Sequence, residues 1–184
     1  VQLLPVVRRR APALHRGTGR AYLIAAVGAA AGGTYLVWGR GSAGDVGQHL
    51  GTTWNALLLV GCAAATWRTA RARDVAAHRW WALRTYLAAN GVWFFRLGLM
   101  LWLLAWRRPV GFDADRFVGP FLTALAFGQT LVPLAVLEAY LRLEARGSAR
   151  HRHALAIVLA VLTVGTAAGI VAAALGLWLP RLGG

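Results

Sequence analysis

The chain has no lysine and a single cysteine, and only 14% of its 184 residues are charged. So little charge excludes an ordinary soluble globule, in which roughly a quarter of the residues are charged. One cysteine excludes a disulfide framework and any CxxC metal motif. Cys62 falls inside an apolar run, as a small packing residue does. No small-residue cleavage site separates the first arginine run from the apolar block behind it, so no cleavable signal peptide is read there. Internal repeats and paired Asp-rich metal motifs are also missing.

What is present is apolar. Hydrophobic residues make up 58% of the chain, gathered in blocks of about twenty residues, the length a helix needs to cross roughly 30 Å of hydrocarbon. The blocks run from Ala21 to Trp38, Leu50 to Trp67, Trp81 to Trp106, Phe117 to Leu143 and Ala154 to Leu179. They predict an all-α polytopic bundle of about five spanning helices in a single membrane domain. The chain opens on Val1 and a short amphipathic stretch to Val7, which leaves room in that architecture for one more helix ahead of Val1.

All 20 basic residues are arginine and the formal charge is +14. Arginine alone suits a GC-rich coding sequence, and also anionic headgroups. A nucleic-acid surface would gather the charge on one solvated face, whereas here it lies in short loops, so no nucleic-acid partner is expected. Arg8, Arg9, Arg10, Arg16 and Arg20 precede the first block. Arg68, Arg71, Arg73, Arg79 and Arg84 join the second to the third, and Arg142, Arg146, Arg150 and Arg152 join the fourth to the fifth. The opposite ends hold only Arg40, Arg107, Arg108, Arg116 and Arg181, beside Asp45, Asp113 and Asp115. Positive loops stay cytoplasmic, so the expected location is a bacterial inner membrane with the N-terminus inside and the C-terminus outside. Trp38, Trp67, Trp80, Trp81, Trp106 and Trp178 fall near block ends, where indoles anchor at headgroup level.

Two clusters enter the membrane from the arginine-rich side. In the first, His15, Gly19 and Tyr22 share one face if the helix already includes His15, being spaced i, i+4 and i+7, with Arg16 beside them. In the second, Asp74 and His78 stand at i and i+4 at a helix start, followed by Arg79, Arg84 and Tyr86. There Asp74 can cap the backbone and also fix the imidazole tautomer. Glu138 comes late in the fourth block and is expected to join His15, Asp74, His78 and Arg84 at the inner leaflet. Asn90, Arg96 and Gln129 are polar residues within spans and candidates for interior positions. Arg96 is expected in the outer half, received by Gln129 or the Asp113/Asp115 loop. Each has a plain counterpart: interfacial histidines, a capping Asp74, a Glu138–Arg142 ion pair, a snorkelling Arg84.

These clusters resemble a membrane family known as domain of unknown function 2306. The resemblance is carried by Gln2 to Arg8, His15-Arg16-x-x-Gly19-Arg20-x-Tyr22, Asp74-x-x-x-His78-Arg79-x-Trp81-x-x-Arg84-x-Tyr86, Arg96, and Glu138 with Arg142. It extends over about the first 145 residues. Ala82 stands where the family usually has methionine. The resemblance implies a multispanning bundle with a shared inner-face site and another helix ahead of Val1; it implies no established reaction.

Three functions are compatible with these residues. The first is a redox or redox-assembly protein holding b-type haem between His15 and His78 as iron ligands, with Arg16, Arg79 or Arg84 on the propionates and Gly19 and Tyr22 lining the face. The second is an inner-leaflet enzyme processing a lipid or isoprenoid, with Asp74 or Glu138 as acid or base. The third is a non-catalytic membrane-protein partner or transporter subunit, with the lipid bilayer as its main surroundings.

Overall fold

The computed structural model describes residues 10–146 and 148–175. Val1 to Val7, Arg8, Arg9, Trp178, Arg181 and the end of the fifth predicted block beyond Leu175 lie outside the described residues. Among the described residues six helices follow one another: α1 Pro12–Gly39, α2 Val46–Arg71, α3 Val75–Ala89, α4 Gly91–Trp106, α5 Pro120–Arg146 and α6 Ala149–Ala173. Among the described residues the only β-type pairing is one isolated bridge, Asp113 to Val118. The protein is an all-helical membrane bundle.

By length and composition α1, α5 and α6 each suffice to cross a membrane, and α3 with α4 makes a fourth span if the broken pair counts as one. The third apolar block therefore differs from the uninterrupted helix that its length predicts: it breaks at Asn90, between Ala89 and Gly91. A glycine directly after an asparagine lowers helix propensity at two successive positions. Helix α2 is long enough at 26 residues, but Gln48, His49, Thr52, Thr53 and Asn55 dilute its apolar content. The fourth block starts later than predicted. Phe117 to Gly119 belong to the preceding loop, and the helix opens on Pro120, whose missing N–H costs nothing at a first turn.

The described chain forms two compact units. The first takes residues up to Ser42 together with Thr53–Ala89, so it holds α1, most of α2 and α3. Its core is Ala26, Ala30, Leu59 and Ala88, with Ala56 packed against them. Alanine there lets helix backbones approach closely, which is how helices associate in lipid. Trp38 Nε1 donates to the Thr53 hydroxyl at 2.8 Å and closes the far end of the α1–α2 pair.

The second unit holds the first turns of α2, to Thr52, together with α4, α5 and α6. Asp45 Oδ1 accepts the Gln48 N–H at 2.9 Å, capping α2, and the Thr123 hydroxyl at 3.2 Å, which ties that cap to α5. Gly47 and Gly51, four apart, then lie directly on α5: a Cβ at Gly51 would come 2.7 Å from Ala126 Cβ and 3.0 Å from its backbone carbonyl carbon. Trp102 of α4 stacks on Phe121 of α5 with centroids 4.3 Å apart and donates its indole N–H at 2.8 Å to the carbonyl of Val110, in the loop between the two helices.

Candidate functional site

The first unit carries a layer of polar groups among its apolar helices. Helix α2 ends at a tight turn in which Arg73 adopts a left-handed conformation, φ 58°, and the Asp74 N–H reaches the Thr69 carbonyl at 3.1 Å. The turn sends α3 back along α2. His78 Nδ1 consequently lies 3.1 Å from the Thr66 carbonyl. A carbonyl only accepts, so Nδ1 carries the hydrogen and donates it, and in a neutral ring Nε2 is then the lone-pair nitrogen. Seven residues on, the Thr85 hydroxyl meets the Thr66 hydroxyl at 2.8 Å, both side chains being buried. Each hydroxyl also reaches back to its own helix, Thr66 to the Cys62 carbonyl and Thr85 to the Trp81 carbonyl. Two hydroxyl hydrogens therefore serve three contacts, and the hydroxyl pair shares one of them.

Helix α1 begins at Pro12, so His15 lies within it, as the one-face reading requires. His15, Gly19 and Tyr22 are half-buried, and the same face continues into buried Ala26 and Ala30. The first cluster therefore points into the unit. The Tyr22 hydroxyl is buried and makes no hydrogen bond among the described residues. Leaving such a group unpaired costs about 1–3 kcal/mol. Arg20, on the adjoining face, sits over the Trp67 ring at 5.9 Å. Trp67 follows Thr66, the residue that holds His78. Through these contacts the histidine-bearing ends of α1 and α3 lie at the same end of this unit.

Other expected contacts take a different form. Asp74 does not set the imidazole tautomer: its carboxylate accepts the Ala77 N–H at 2.9 Å as a helix cap, and the Thr66 carbonyl orients His78 instead. The reason is geometric. A carboxylate at the start of a helix meets the exposed N–H groups of the first turn before it reaches a side chain one turn on. Arg84 is half-buried with its guanidinium 5.0 Å from the Trp81 ring, whereas Arg16 and Arg79 are exposed. Glu138, half-buried on α5, belongs to the second unit, while His15, Asp74, His78 and Arg84 belong to the first.

Gln129 is buried, but its amide donates to the Ala126 carbonyl of its own helix at 2.7 Å, and Asp113 accepts the Asp115 and Arg116 N–H groups of its own loop. Neither receives Arg96, which is exposed on α4 and makes no hydrogen bond or ion pair among the described residues. Asn90 marks the break between α3 and α4. Thr66 and Thr85 escaped the sequence reading. Their signal was faint: two threonines in neighbouring apolar blocks, one beside Trp67 and the other beside Tyr86.

Apolar helices of spanning length with a buried polar layer define a polytopic helical membrane protein. Residues 1–113 match the profile of the family described as predicted membrane protein (DUF2306), and the chain belongs to that family. The matched segment takes in His15, Asp74, His78, Arg84 and Arg96 but ends before Glu138 and Arg142. No curated protein and no solved structure matches the chain.

Proposed function

We propose that the protein is a membrane redox or redox-assembly protein that holds b-type haem in its first unit, with His15 and His78 as the iron ligands. The observation that carries this reading is the bond from His78 Nδ1–H to the Thr66 carbonyl, 3.1 Å long. A histidine that donates one ring nitrogen to a backbone carbonyl is oriented and made more basic at the other, the usual arrangement of a metal-ligating imidazole. His15 faces inward from α1 at the same end of the unit, and half-buried Gly19 on that face carries no side chain to obstruct a flat macrocycle. Arg16, Arg79 and Arg84 supply positive charge for the propionates. Bound haem would bring one-electron chemistry; the chain's own part is to position the iron, exclude water and balance charge.

The competing readings have less support. An inner-leaflet lipid- or isoprenoid-processing enzyme needs Asp74 or Glu138 as acid or base, and Asp74 is committed as a helix cap. A non-catalytic membrane partner or transporter subunit is favoured only by the exposed Arg96. The arginine bias, fourteen against five, supports an inner-membrane orientation with the N-terminus in the cytoplasm and the C-terminus outside.

An absorbance spectrum of protein purified from membranes tests the haem reading. A Soret band is expected, either as isolated or after adding hemin, and it should disappear or shift in His15→Ala and His78→Ala while Trp38→Phe keeps it. Absence of a band under both conditions removes the proposal.

A further inference from the structure

The arginine-rich end of the first unit is electrically unbalanced. Asp74 is the unit's only acidic residue among those described, and its carboxylate is occupied by the Ala77 N–H. Arg16, Arg20, Arg68, Arg71, Arg73 and Arg79 make no ion pair among the described residues. One of them is held in place: the Arg20 guanidinium lies over Trp67, an indole 41% exposed at the end of α2. That pairing fixes a cation beside an amphipathic ring at a helix end, the depth of lipid phosphates.

Exposed apolar residues run away from it along both helices. Arg20, Ile24, Val27 and Gly28 share one face of α1, at i, i+4, i+7 and i+8, and Ile24 and Val27 are 74% and 41% exposed. On α2, Leu57, Val60, Gly61 and Ala64 form the exposed stripe that ends at Trp67. The two helices are neighbours through Ala26, Ala30 and Leu59. A Cβ at Gly28 or at Gly61 would meet nothing within 4 Å, so both faces are uncovered there. A fixed cation at one end and exposed apolar surface along the helices match a phosphate headgroup and an acyl chain respectively.

We propose that the α1–α2 face of the first unit binds an anionic phospholipid, its phosphate on Arg20 beside Trp67 and one acyl chain along Ile24, Val27, Val60 and Leu57. The net positive charge favours an anionic lipid over a zwitterionic one, because a zwitterionic headgroup brings its own ammonium into a cluster of guanidiniums. Each arginine near an anionic headgroup is worth about a fivefold change in binding. This inference is independent of haem, since none of these groups is an iron ligand.

Native mass spectrometry of the intact purified protein, titrated with phosphatidylglycerol or with phosphatidylcholine of identical chains, tests it. Phosphatidylglycerol should bind at least about fivefold more tightly. Arg20→Gln should remove about that factor for phosphatidylglycerol alone, and Arg40→Gln, at the other end of α1, should leave it intact. Equal binding of the two lipids by the unaltered protein would overturn the proposal, a comparison that stands even if Arg20→Gln fails to fold. So would equal losses in the two variants, or displacement of the lipid by inorganic phosphate.

Discussion

Asp45 shows how one side chain can join two elements. Its carboxylate is held below the usual range, chiefly by the Gln48 N–H, with the Thr123 hydroxyl and the Gly119 and Gly47 N–H groups adding to that and partial desolvation opposing it. A carboxyl whose folded pKa lies below its unfolded value contributes fully above the unfolded value, and that contribution fades as pH falls through the folded one. Acidification from about pH 5 to about pH 3 should therefore lower the thermal midpoint of the detergent-solubilised protein. Asp45→Asn, which can still cap the helix, should show a smaller acid-dependent fall; an identical fall in both proteins would mean that Asp45 does not couple α2 to α5. The same competition for backbone donors decides Asp74. Its place before a helix was legible in the sequence, but the carbonyl that orients His78 comes from Thr66, twelve residues earlier, and becomes a partner only once the Arg73 turn folds α3 back on α2.

At the scale of the helix, small residues decide where backbones meet. Gly51 has no room for a side chain because Ala126 occupies the space, whereas Gly28 faces open space. Gly51→Val should destabilise the protein by about 1–3 kcal/mol through overpacking, and Gly28→Ala should be neutral or slightly stabilising. Thermal midpoints of the two variants check this; equal effects would contradict the α2–α5 contact. The Gly47-to-Gly51 spacing is visible in the sequence, yet Gly28 and Gly32 have the same spacing and meet nothing. Spacing shows that close approach is possible, and only the fold selects the pair that uses it. The apolar blocks were legible as helices because lipid requires long, continuous apolar stretches. The break at Asn90 was not, since the run from Trp81 to Trp106 has no proline and hydropathy is blind to a local loss of helix propensity.

Over the whole molecule the governing asymmetry is charge. Hydropathy sets which segments leave water and can be read from the sequence because it does not depend on tertiary contacts; the placement of arginine is the basis of the proposed orientation. Grouping His15 with His78 also followed from topology alone, through helices that enter from the same side. The inclusion of Glu138 relied on a depth argument along α5; Glu138 belongs to the second unit, and His15, Asp74, His78 and Arg84 to the first.

The central claim is that the helices cross a membrane with the arginine-rich ends, and both histidines, on its cytoplasmic side. Single cysteines placed at Arg73 and at Arg108 in a Cys62→Ala background, probed in intact cells with a membrane-impermeant maleimide, test it directly. Labelling of Arg108→Cys from outside, with Arg73→Cys labelled only after permeabilisation, is the predicted result. Labelling of both from the same side, or release of the unmodified protein from membranes by alkaline carbonate, would contradict it.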